Sequence, residues 1–92
     1  MISKTYVMKW PLGLHARPSS KLIDRMRAFN LSEATLSFDG GVANLMSIMS
    51  LLTASLSKGK TFELILIGDD EKKAFDVLDS IFSSEEEELL YE

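Results

Sequence analysis

The rhythm of apolar and polar residues changes repeatedly along this chain, and each change marks an element. Ile2 to Met8 is rich in β-forming residues and alternates well enough to predict a strand, which Pro11 and Gly13 then break. From Pro18 the period lengthens. Leu22, Ile23, Met26 and Phe29 recur at helical spacing, with Lys21, Asp24, Arg25 and Arg27 on the other faces. This predicts an amphipathic helix with Pro18 in its first turn, where the missing N–H costs nothing, and with Asn30 as its stop. Period two returns at Ala34, Leu36 and Phe38, which alternate with Glu33, Thr35 and Ser37. "DGG" then signals a hairpin turn into a short strand from Val42 to Asn44. "NLMSIMSLLTASL" reads as a short helix capped by Ser47 and ended before Gly59. "TFELILI" is apolar on both faces, as a central strand should be. After Gly68 a last helix follows, capped by Asp69 or Asp70, with Asp70 and Glu71 suited to its positive end and Ala74, Val77, Leu78 and Ile81 as its buried stripe. The order β-α-β-β-α-β-α predicts an α+β fold: a four-stranded, mainly antiparallel sheet with three helices on one face, an open-faced β-sandwich.

Composition narrows the function classes. A chain of 92 residues makes one domain, expected over 1–84, and "SSEEEELLYE" leaves 85–92 as an acidic tail that reads as a solvated, fraying end. There is no internal repeat and no linker. The apolar share of 46% and charged share of 26% are those of an ordinary soluble domain. The absence of cysteine excludes a disulfide scaffold and a thiolate zinc site and fits a cytoplasmic setting, and a single histidine excludes a multi-histidine metal centre within one chain. The start of the chain has no apolar core of signal-peptide type, and "LILI" is far too short to span a bilayer. With a net charge of −4 the chain lacks the basic footprint of a nucleic-acid binder.

That one histidine stands in "GLHARPSS", residues 13–20. The bland reading is a surface imidazole in a turn with a solvated arginine two positions on. The chemical reading starts from placement. His15 precedes a helix whose first amides, at Ala16 and Arg17, have no intrahelical partners, and such an end binds anions. Its positive dipole end disfavours imidazolium and keeps the ring nucleophilic. Arg17 adds a planar cation suited to phosphate oxygens, and Pro18 restricts Arg17's backbone. A nucleophile beside an anion site, with no metal ligand and no second acid–base group, suits acceptance and holding of a phosphoryl group, a chemistry that depends mainly on positioning and charge.

"GLHARPSS" resembles the active-site signature of HPr, the histidine-containing phosphocarrier family of the bacterial phosphoenolpyruvate-dependent sugar phosphotransferase system. Gly13, Leu14, His15, Ala16, Arg17 and Pro18 all agree with the family pattern. The similarity extends over the chain up to the acidic tail, including "KG" before the fourth strand and "GDDE" before the last helix. The resemblance implies a cytoplasmic, monomeric phosphocarrier without cofactor or metal, a relay rather than an enzyme with its own substrate. His15 would take the phosphoryl group on Nδ1, with Arg17 and the backbone of Ala16 and Arg17 holding it. Enzyme I would be the donor and enzyme IIA domains the acceptors. Both would dock on Ser20, Asp24 and Arg27 of the first helix and Ile48, Met49 and Leu52 of the second. In "SIMSLL" the apolar excess predicts Leu51 in the core and Met49 outside it.

Ser47 falls where many family members carry a regulatory serine, the target of HPr kinase/phosphorylase. Met46 stands where a lysine or other polar residue is usual, Gly41 where a lysine is common, and "TASLSKG" where a glycine often precedes the final turn. Ser47 therefore reads equally as a helix cap. Two other functions stay open beside the transport phosphocarrier: a regulatory paralogue in nitrogen or carbon control with the same His15 chemistry, and a binding module using His15 only as a contact, against which the intact "HAR" argues.

Overall fold

A computed structural model describes residues 1–92. The alternating segments form four strands: β1 (Ile2–Val7), β2 (Glu33–Phe38), β3 (Gly41–Asn44) and β4 (Thr61–Ile67). Between and after them lie α1 (Ala16–Met26), α2 (Ile48–Ala54) and α3 (Glu71–Ser83), and the chain closes in a short 3-10 helix, Glu87–Tyr91. The sheet order is β1-β4-β2-β3, every pair antiparallel. β4 is central, as its two apolar faces require. Phe62, Leu64 and Leu66 enter the core, while Ile65 and Ile67 lie half-buried on the open face.

Register aligns the core residues of adjacent strands. Phe62 faces Tyr6 on one side and Phe38 on the other, and Leu64 faces Leu36. Over this face α3 packs on β1 and β4, α2 packs on β3, and α1 packs on α2. Leu22 and Met26 of α1 are fully buried, each worth about 1.5–3 kcal/mol in removed apolar surface. Tyr6, Trp10, Phe62 and Phe82 form an aromatic cluster with ring centroids 5.2–5.8 Å apart. The Tyr6 hydroxyl leaves this cluster to donate to Asp79 Oδ1 at 2.7 Å, where Lys4 Nζ also binds at 2.8 Å.

The first helix begins at Ala16 with His15 as its extended N-cap, which places Pro18 in the first turn as expected. Two local expectations need correction. At α3, Asp70 occupies the N-cap position without capping. Its Oδ2 accepts instead from the Asn30 amide at 2.7 Å, and Asp69 Oδ2 accepts from Asn30 Nδ2 at 3.2 Å, so both carboxylates tie α3 to the chain leaving α1. The acidic end does not fray into solvent. Leu90, 2% exposed, is part of the core, and Arg25 Nη2 donates to the carbonyls of Leu89, Leu90 and Glu92 at 3.0–3.3 Å.

Two contacts fix the loop that carries His15. Gly13 has φ +64°, and a Cβ there would lie 2.3 Å from the Leu56 carbonyl oxygen, so only glycine fits. The next amide, Leu14 N–H, donates to that same oxygen at 2.8 Å. The oxygen belongs to the turn after α2, which leaves the helix through Ser55 in the left-handed region, φ 51°.

Candidate functional site

His15 is the N-cap of α1, and its side chain makes no capping bond. The helix therefore presents free amides at Ala16 and Arg17, and Pro18 follows without a donor. His15, Arg17, Pro11 and Leu12 line an open pocket of about 550 Å³ whose other wall is the tail: Glu86, Glu87, Glu88, Tyr91 and Glu92. His15 and Arg17, singled out from the sequence, thus share one concavity.

The tail residues supply what sequence reasoning missed. Glu87 Oε1 lies 2.9 Å from His15 Nε2, with side chains 17% and 34% exposed respectively. The Tyr91 hydroxyl donates to Glu87 Oε2, and the Tyr91 ring lies beneath the Arg17 guanidinium, 3.9 Å from centroid to carbon. Burial pushes the Glu87 carboxyl up, but hydrogen bonds from Tyr91 and His15 and the nearby charge of Arg17 outweigh it and hold the group below its ordinary range. The Tyr91 phenol is pushed up to about 12, first by burial and then by its bond to Glu87 and that carboxylate's charge. The sequence signal for this wall was Leu89, Leu90 and Tyr91 set among glutamates: three large apolar residues are poor company for a purely solvated end.

The residues expected from the sequence to meet partners lie along α1 and α2. Ser20, Asp24 and Arg27 are exposed on α1, with Arg27 Nη1 3.1 Å from Asp24 Oδ1. Ser20, Asp24, Arg27, Met46 and Ile48 line a shallow groove between the two helices. Met49 is 68% exposed while Leu51 is fully buried, as their spacing predicts, and Ile48 and Leu52 are also exposed. Ser47 is the N-cap of α2, its Oγ accepting from the Ser50 amide at 3.2 Å. No group of three or more His, Cys, Asp or Glu side chains is arranged to hold a metal ion. No helix is long and apolar enough to cross a membrane.

A family model described as the PTS HPr component phosphorylation site matches residues 2–84. The chain belongs to the HPr family. It is 36% identical over 73 residues to the phosphocarrier protein HPr of Lysinibacillus sphaericus, covering 79% of this chain and 82% of that one. It is 32% identical over 73 residues to the phosphocarrier protein NPr of Proteus mirabilis, covering 79% and 81%. Its fold matches the crystal structure of HPr from Thermoanaerobacter tengcongensis with a TM-score of 0.83 and 29% identity, covering 92% of this chain and 94% of the other. The named HPr and NPr relatives are phosphocarrier proteins. The segment beyond residue 84, which supplies Glu87 and Tyr91, lies outside the matched family region.

Proposed function

We propose that His15 accepts a phosphoryl group from phospho-enzyme I and passes it to sugar-specific enzyme IIA domains, the chain acting as a cytoplasmic, monomeric relay with no reaction of its own. The observation that carries this reading is the half-exposed imidazole at the N-terminus of α1, sharing a pocket with Arg17. In the reaction the imidazole lone pair forms the N–P bond as the donor's bond to phosphorus breaks. The free amides of Ala16 and Arg17 and the positive end of α1 then face the phosphoryl oxygens. Arg17 adds its cation, turning from the Tyr91 ring towards the phosphate.

Ser20, Asp24, Arg27, Ile48, Met49 and Leu52 supply the docking face, where soft methionine and exposed aliphatic groups surround a single ion pair. A phosphate on Ser47 would sit at the positive end of α2 and cost the fold little, but it would place about two negative charges beside that apolar face. Phosphorylation there by HPr kinase/phosphorylase would act as a switch on docking, a role that stands beside the cap that Ser47 forms with the Ser50 amide. No feature of the site favours a purely regulatory role over transport.

The test is incubation with enzyme I and labelled phosphoenolpyruvate. Wild type should gain acid-labile label on His15. His15→Ala should gain none while remaining folded, with the loss of its bond to Glu87 costing about 1 kcal/mol. Label on the alanine variant would place the acceptor elsewhere.

A further inference from the structure

Resting on the reading of His15 as acceptor, we propose that Glu87 is a positioning residue for phosphoryl transfer: it holds the proton on His15 Nε2, leaves Nδ1 as the free nucleophile, and balances the positive ring that forms once Nδ1 carries phosphorus.

An ionised carboxylate can only accept, so the hydrogen in the 2.9 Å contact between Glu87 Oε1 and His15 Nε2 belongs to the nitrogen. A neutral imidazole carries one such hydrogen, so Nδ1 keeps its lone pair. His15 makes no other side-chain hydrogen bond, and Nδ1 is not among the buried polar atoms lacking a partner, so it is open to solvent. The carboxylate is itself fixed. Tyr91 donates to its second oxygen, Leu90 anchors the segment in the core, and Arg25 binds three carbonyls of the tail. This is how a carboxylate orients a reacting histidine elsewhere in protein chemistry: by choosing the tautomer and meeting the charge that develops.

The electron count supports a role in the reaction as well as in the resting state. The Nδ1 lone pair forms the bond to phosphorus, and the bond to the donor's leaving atom breaks with its pair returning to the donor. No proton leaves His15. The ring, substituted at Nδ1 and protonated at Nε2, becomes cationic. A cationic ring adds the attraction of opposite charges to the hydrogen bond that the neutral ring already makes, so Glu87 stabilises the transition state and product more than the resting state. The glutamates also repel the incoming phosphoryl group, but Glu87 contacts the ring at its other nitrogen. The phosphoryl group carries about two negative charges to the ring's one positive charge, so the Coulomb terms oppose each other, and the direct hydrogen bond at Nε2, which the phosphate does not share, favours the charged ring.

The experiment compares full-length wild type, Glu87→Gln and Glu87→Ala. Imidazole ¹⁵N NMR on unphosphorylated protein at neutral pH reads the tautomer. Transfer of label from phospho-enzyme I reads the rate, and melting curves confirm the fold. Wild type should show the Nε2–H tautomer, and Glu87→Ala a mixture of the two. Both variants, lacking the charge, should accept phosphate roughly 10-fold more slowly. An unchanged tautomer in Glu87→Ala overturns the proposal. So does transfer as fast as or faster than wild type in folded variants, which would make the tail a mask over His15. Failure of the acceptor reading looks different: wild type itself would take no label, and the proposal would fall with it.

Discussion

Ser19 is fully buried in α1, and its Oγ finds no partner. A hydroxyl left unsatisfied inside a protein is a cost that alanine at the same place avoids. Ser19→Ala should therefore stabilise the chain by about 1 kcal/mol, read as a raised urea midpoint with an unchanged slope. A lowered midpoint would mean that the hydroxyl bonds back to the preceding turn. At this scale the sequence was informative about where His15 and Arg17 stand, since their placement follows from neighbours within a few positions: a glycine turn, a helix start, a proline. It was silent about Glu87, whose contact with His15 joins residues 72 apart. One carboxylate in a run of four looks like its neighbours until the chain is folded.

Among the elements, α2 carries the plainest local strain. Ser55 ends it with φ 51°, a left-handed conformation that costs a residue with a Cβ about 1–2 kcal/mol and glycine almost nothing. Ser55→Gly should raise the melting temperature by several degrees, the equivalent of about 1 kcal/mol in a domain of this size. The terminal 3-10 helix should respond to acid. Glu87 titrates below its ordinary range when docked, so its contribution to docking is complete above about pH 4.3 and is lost as pH falls through the lower docked value. Amide signals of Leu90 and Tyr91 should accordingly broaden or shift below that pH before the sheet melts. If tail and sheet are lost together, the tail is not a separate unit. The sheet and helices were legible because periods of two and 3.6 residues and turn glycines are local signals. The α3 cap was misread because Asp70 answers to Asn30, forty positions away. The tail was misread because its charge pattern hid the anchoring of Leu90.

For the whole molecule, the arrangement of layers places α1 and α2 side by side with the His15 loop at one end. Met49, 68% exposed, has almost nothing to lose from a charge in the free protein and much to lose against an apolar partner. Met49→Glu should slow transfer from phospho-enzyme I by roughly 10-fold or more, an interface loss of above about 1.4 kcal/mol, with an unchanged melting curve. A variant that transfers normally would remove Met49 from the docking face. The Gly13–Leu56 contact has a further consequence. The eight residues of "GLHARPSS" are not a portable cassette. Their shape is imposed by a carbonyl forty-odd positions downstream, and their histidine is gripped by a carboxylate near the far end of the chain. Transplanting the motif into another scaffold would carry over the letters and leave the site behind. A designer would have to graft three separate segments in register, from the loops before α1 and after α2 and from the tail.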